Sequence, residues 1–206
     1  MENLEDNGNQ PTNDKQDNNA DYEDLMNKIK QINPNAKVKI KTSDNKIYDV
    51  PADILLKSKL LFDLIQDYIE DYIENQETIA LFEVDSKNFE LIIEYLQQYK
   101  NKEPKEIPKP FPEHTDENFL KEILDNDDND WTYNFISKLN IEEAINLVNA
   151  AFYLQIDGLI NLLAAKLAHE MCNCSVEEAR QKFGIECYMT EDEVAEYDKY
   201  PLDEDN

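Results

Sequence analysis

The chain has 206 residues, enough for one domain with appended segments. Its 46 acidic against 20 basic residues leave a formal net charge of −26, which repels nucleic acid and excludes it as a direct partner. No apolar run reaches the length of a membrane span. The three cysteines, Cys172, Cys174 and Cys187, are odd in number and clustered late, which points to a reducing compartment rather than a disulfide framework.

Residues 1–35 read as an acidic tail. The first 24 are polar, with almost nothing to bury, and predict disorder and no signal peptide. Within the tail, Tyr22 to Ile32 has Leu25, Ile29 and Ile32 at helical spacing, a short amphipathic helix that Pro34 ends. Val38 to Thr42 alternates apolar and polar residues and predicts a half-buried strand. Ser43 to Lys46 is a turn in which Asn45 tolerates a positive φ, and Ile47 to Val50 returns, completing a hairpin. Pro51 and Asp53 open helical structure that Ser58 breaks in two, and Asp67 to Asn75 reads as a loop or frayed helix end. A third strand over Thr78 to Phe82 turns Ile79 and Leu81 to one side. Asp85 or Ser86 then caps a helix carrying Phe89, Ile92, Ile93 and Leu96.

Residues 102–130 change character. Pro104, Pro108, Pro110 and Pro112 forbid a helix or central strand, and acidic residues follow to Asp130. This predicts a long exposed insertion with at most a helical turn around Phe119 to Leu124, docked back onto the body by Trp131 and Phe135. Residues 131–156 supply further helices, the main one running from Ile141 to Leu154. Asp157 offers an N-cap to a helix from Gly158 to about Met171. Ser175 and Glu178 form a capping box for a last helix, which ends at Phe183 because Gly184 can take the left-handed conformation. The three helices from Ile141 to Ile185, the last two within a C-terminal segment of residues 157–188, hold more Leu, Ile and Ala than so small a unit can bury, so part of that surface meets the rest of the chain or another protein. Residues 189–206 are again acidic, with a capping box at Thr190 and Glu193. The order β-β-α-α-β-α followed by helices is mixed α+β, not alternating βαβ.

Catalytic chemistry is not apparent. His114 and His169 have no triad-like companions, and only three glycines are present, none in a phosphate-binding loop. His169, Cys172 and Cys174 lack the fourth ligand and the paired spacing of a zinc site, so they read as ordinary side chains and no cofactor or metal is expected.

The stretch Asn149-Ala150-Ala151-Phe152-Tyr153-Leu154-Gln155-Ile156-Asp157-Gly158-Leu159, with Cys174 to Ile185 reading CSVEEARQKFGI, resembles the Skp1 family, the small adaptors of cullin-type ubiquitin ligases. That family reads roughly AANYLDIKGLL and then TPEEIRKTFNI. The resemblance extends back to Lys37 and marks the chain as a divergent member of protist type. It implies a POZ (BTB-like) fold over residues 36–101 and 131–156, a small three-stranded sheet flanked by helices, with a C-terminal helical extension that binds F-box proteins. It implies a non-catalytic adaptor linking F-box receptors to a cullin in the cytoplasm and nucleus. The alternative is a scaffold that holds F-box-like proteins without a cullin. A homodimer stays open for the state without an F-box partner. The F-box-binding residues chosen by helix face are Leu159, Leu163, Leu167, Val176, Ala179, Phe183 and Ile185. The cullin-binding residues are Phe152 and Tyr153, where Phe152 stands in place of the family's asparagine. Val176 stands where the family carries the proline that some protist relatives hydroxylate.

Overall fold

The computed structural model describes residues 14–112, 115, 116, 118–124, 131–172 and 174–185. His114, Cys187, the tail before residue 14 and the capping box at Thr190 lie outside them. The described chain divides into two compact units. The first comprises residues up to Glu106 together with Asn146–Asn161, and the second comprises Ile107–Ile145 together with the residues from Leu162 onward.

In the first unit, strands β1 (Lys37–Lys41), β2 (Ile47–Pro51) and β3 (Thr78–Ala80) form a sheet of order β2-β1-β3. β1 pairs antiparallel with β2 through the predicted hairpin and parallel with β3. Alternation does the sorting: Val38 and Ile40 are fully buried on one face, and Lys37, Lys39 and Lys41 point to the other. The hairpin turn closes through Asn45 N–H to the Thr42 carbonyl at 2.9 Å, and Asn45 takes the expected positive φ of 67°.

Helix α1 (Asp14–Ile32) corrects the reading of residues 1–35 as a disordered tail. It begins eight residues before Tyr22, and Leu25 and Ile29 are each 2 % exposed. The same two apolar positions that made the sequence helical also dock it, and Tyr22 donates from its hydroxyl to the Asp53 carbonyl at 3.3 Å. Ile32, the third predicted apolar position, stays exposed.

Helices α2 (Ala52–Leu55) and α3 (Lys59–Asp67) are split at Ser58 as the sequence predicts. The Ser58 hydroxyl caps α3 by accepting from Leu61 N–H at 3.3 Å and donates to the Leu154 carbonyl at 2.6 Å, so one buried side chain starts a helix and holds a second segment. Asp67–Asn75 is more regular than a loop: a π-helical turn spans Glu70–Glu74 and buries Ile73. Helix α4 (Ser86–Gln98) is capped by Asp85, whose carboxylate accepts from Asn88 N–H at 2.7 Å. Phe89, Ile92 and Leu96 on α4 are buried.

Asp44 ties the hairpin turn to the start of α4. Its carboxylate accepts from Thr42 Oγ1 and Ser86 Oγ, each at 2.6 Å, and from Ser86 N–H at 3.0 Å. The hydroxyl of Ser86, then that of Thr42, hold this carboxyl down at about 2 against its ordinary 3.8. A depressed folded-state pKa adds stability that is complete above the unfolded value and is lost as pH falls through the folded one. The melting-temperature gap between the wild type and Asp44→Asn should therefore be widest above about pH 4 and shrink toward about pH 2. A gap that stays constant across that window would show that the charge of Asp44 plays no part.

In the second unit, helices α5 (Phe119–Leu124) and α6 (Trp131–Ser137) follow the proline-rich stretch. The reading of residues 102–130 as an exposed excursion holds for 102–110, which are exposed or half-buried, and is corrected at three later positions. Thr115, Leu120 and Leu124 are buried, and Phe111 meets Phe119 edge-on at 5.4 Å. Four prolines prevent regular structure, but they do not prevent burial of the apolar Leu120 and Leu124 that follow them. Trp131 stacks on the buried Phe135 at 4.9 Å.

Helix α7 (Ile141–Tyr153) and helix α8 (Asp157–Met171) each contribute residues to both units, and α9 (Val176–Phe183) closes the described chain. α8 starts at Asp157, so this residue is the first of the helix rather than its cap.

Candidate protein-binding surfaces

The second unit carries the sharper candidate. Helix α9 is built as its sequence requires. Ser175 Oγ accepts from Glu178 N–H at 3.3 Å, and the Glu178 carboxylate accepts from Ser175 N–H at 2.9 Å. Gly184 ends the helix at φ 65°, and Ile185 N–H reaches the Arg180 carbonyl at 2.9 Å. None of the eight residues of α9 is buried. Val176 is 62 % exposed and Ile185 is 54 % exposed, while Ala179 and Phe183 are half-buried. A helix with no fully buried residue gains little from tertiary packing, so its caps and one ionic cluster contribute much of its stability.

That cluster is centred on Glu170 of α8. Lys182 of α9 reaches Glu170 Oε2 at 2.7 Å and the Glu170 carbonyl at 3.1 Å, and Lys166 reaches Oε1 at 3.4 Å. Partial burial alone would push the Glu170 carboxyl up, but the hydrogen bond from Lys182 and the two ammonium charges bring it below its ordinary value. The cluster fixes α9 against the end of α8 without covering the apolar residues of α9.

Helix α8 behaves differently, and the choice of Leu159 and Leu163 as partner contacts is corrected. Both are fully buried, as are Leu162 and Ala165, and Leu167 is half-buried. α8 is apolar on most sides, and the positions that recur at three and four residues face inward. Met171, at its end, is 45 % exposed and extends the surface toward α9. The helix-face pattern missed Met171 because its neighbours in sequence are polar.

The first unit carries the second candidate. Phe152 is 64 % exposed near the end of α7, and Tyr153 is half-buried. Phe82 is 79 % exposed, the most exposed large apolar side chain described in this unit. It was not chosen from sequence, though the signal was present. Ile79 and Leu81 face inward, so period-two alternation sends Phe82 outward. Phe152 has an analogous cause: Ala151 in α7 and Leu154 just past its end are buried, and Phe152 points away from that inner side.

The side chains weighed as metal ligands turn to separate partners. His169 Nδ1 and Thr115 Oγ1 are hydrogen bonded at 2.7 Å, Cys172 donates to the Pro112 carbonyl at 3.3 Å, and Cys174 donates to the Glu170 carbonyl at 3.1 Å. Among the described residues no group of three or more His, Cys, Asp or Glu side chains is placed to hold a metal ion. No helix among them is long and apolar enough to cross a membrane.

Comparison with known proteins agrees with this architecture. Residues 36–101, which hold the whole sheet and α2 to α4, match the family model described as "Skp1 family, tetramerisation domain". An S-phase kinase-associated protein 1 homolog of Tetrahymena thermophila is 32 % identical over 160 residues, covering 78 % of this chain and 89 % of that protein. SKP1-like protein 18 of Arabidopsis thaliana is 26 % identical over 163 residues, covering 79 % and 92 %. A Skp1-related protein of Caenorhabditis elegans is 25 % identical over 168 residues, covering 81 % and 90 %. The three-stranded sheet flanked by helices is the POZ fold, and with a relative matched along most of its length the chain belongs to the Skp1 family.

Proposed function

We propose that the chain is a non-catalytic adaptor that joins F-box receptors to a cullin in an SCF-type ubiquitin ligase of the cytoplasm and nucleus. The observation that carries this reading is α9, a capped and ion-paired helix that buries none of its own residues and presents Val176 and, just beyond its end, Ile185. A helical surface of this kind grips a partner's amphipathic helices by taking apolar anchors into a groove. Stable, specific association buries roughly 1,200–2,000 Å² in all, and a few large apolar anchors dominate its energy. Met171, Val176, Ala179, Phe183 and Ile185 are the contacts assigned to the F-box partner. Leu167 is a marginal contact, and the buried Leu159 and Leu163 are not assigned to the partner.

Phe152 and Tyr153 are assigned to the cullin. Phe152 replaces a polar residue of the family pattern with an exposed apolar one, which favours a more apolar cullin face than that pattern implies. The same replacement gives the alternative its footing, a scaffold that holds F-box proteins with no cullin at all.

Affinity capture of the tagged full chain from its own cells, read by mass spectrometry, separates the two. F-box proteins together with a cullin support the ligase adaptor. F-box proteins with no cullin support the scaffold, and recovery of neither rejects both. Phe82→Ala combined with Phe152→Ala should lower cullin recovery about tenfold and leave F-box recovery unchanged, since losing two exposed aromatic anchors costs at least the ~1.4 kcal/mol that corresponds to a tenfold change. Unchanged cullin recovery would remove Phe152 from the assignment.

A further inference from the structure

We propose that the outer face of the sheet is a docking surface for an acidic peptide of another protein, lying across it in extended form. Lys37, Lys39 and Lys41 occupy alternate positions of β1, the central strand, so all three point to the face opposite Val38 and Ile40. The register sets their neighbours. Lys41 lies opposite Ile47 on one side and Ala80 on the other, Lys39 opposite Asp49 and Thr78, and Lys37 opposite Pro51. Ile47 is 62 % exposed. Asp49 is the one acidic residue at these register positions. Among the described residues none of the three lysines forms an ion pair or a side-chain hydrogen bond.

This is unusual in a chain with 46 acidic side chains to choose from. Three cations and one anion give the face a local positive charge in a molecule whose net charge is −26. Charges farther away than about 8 Å are largely screened at physiological ionic strength, so the local lysines, not the net charge, decide what a small ligand meets. Residues two apart on a strand are separated by roughly 6.6 Å, the same repeat at which an extended peptide presents carboxylates on alternate residues. Ile47 beside Lys41 adds a place for an aliphatic side chain. The net charge selects against the other polyanions. A nucleic acid strand or an anionic membrane would extend past the face and meet the surrounding carboxylates, and a second copy of the chain brings its own −26. A short acidic peptide covers the face and nothing else. None of the residues assigned to the F-box partner lies on it, nor do Phe152 and Tyr153; Phe82, which follows β3 with the parity of Thr78 and Ala80, borders the face and is unchanged in both variants compared below.

The test uses the full chain and a fluorescein-labelled Glu-Val-Glu-Val-Glu peptide, followed by fluorescence anisotropy. The variant Lys37→Gln, Lys39→Gln, Lys41→Gln is compared with Lys30→Gln, Lys59→Gln, Lys138→Gln, which has the same net charge with the sheet face intact. All six positions are exposed or half-exposed, and thermal melts confirm that both variants fold. The sheet variant should bind about tenfold more weakly than the wild type, the sum of three modest surface ion pairs, while the control binds like the wild type. Binding should weaken as salt is raised. Equal loss in both variants, or none in the sheet variant, overturns the proposal, as does failure of the wild type to bind. Tighter binding of a single-stranded RNA or of phosphatidylserine vesicles, abolished in the sheet variant, would assign the face to a different ligand class and overturn it too. So would a dimer of the free chain that the sheet variant abolishes.

Discussion

Replacing Val176 and Ile185 together with aspartate is expected to weaken capture of F-box proteins at least about a hundredfold while leaving the chain folded. Burying one such side chain against a partner contributes about 1.5–3 kcal/mol, so losing two removes about 3 kcal/mol at the lower end, which already exceeds the ~2.7 kcal/mol of a hundredfold change. The fold should tolerate the change. Val176 is 62 % exposed and opens α9, where a negative charge favours the positive end of the helix dipole. Ile185 lies beyond the Gly184 cap and is 54 % exposed. Titration calorimetry with a purified F-box protein, alongside a thermal melt, checks both halves of the prediction. Intact binding by the folded double variant would place the F-box surface elsewhere.

Leu163→Asp is expected to do the reverse, destroying the fold rather than a surface. Leu163 is fully buried in α8, as are its neighbour Leu162 and, four residues earlier, Leu159. A carboxylate there loses its hydration inside an apolar region, and the lost packing adds to the penalty. A cost of more than about 4 kcal/mol is a large part of the roughly 5–15 kcal/mol that stabilises a typical domain. Circular dichroism and thermal denaturation should show lost cooperativity or a melting temperature too low to measure. A Leu163→Asp chain that folds normally yet fails to bind F-box proteins would restore Leu163 as an exposed anchor.

These two substitutions mark where the sequence was legible and where it was not. The local signals were readable because each depends on a few neighbouring residues. Asn45 at positive φ, Ser58 dividing α2 from α3, Asp85 capping α4 and the Ser175–Glu178 box on α9 are all short-range chemistry. The hairpin and its inward face followed from strict alternation. Which apolar surface remains outside is a different question, since it depends on what the rest of the chain has already covered. Leu163 within α8 and Ile185 just past α9 are similar residues, yet one is sealed and the other is half exposed. Nothing local distinguishes them. The same limit explains α1: Leu25 and Ile29 predicted a helix, but not that it would be buried. It also explains the proline-rich stretch, where the absence of regular structure was readable from the prolines but the burial of Thr115 was not. Phe82 was within reach, because the alternation that sends Leu81 inward sends Phe82 out.

Hydrogen–deuterium exchange of the full chain, free and saturated with a purified F-box protein, tests the account most directly. α9 buries none of its own residues and should exchange rapidly when free. On binding, the amides of residues 175–185 should become strongly protected, while those of β1 and β2 stay unchanged. Protection that appears only in the sheet or in α1, with residues 175–185 exchanging as before, would contradict the assignment of α9 as the gripping surface.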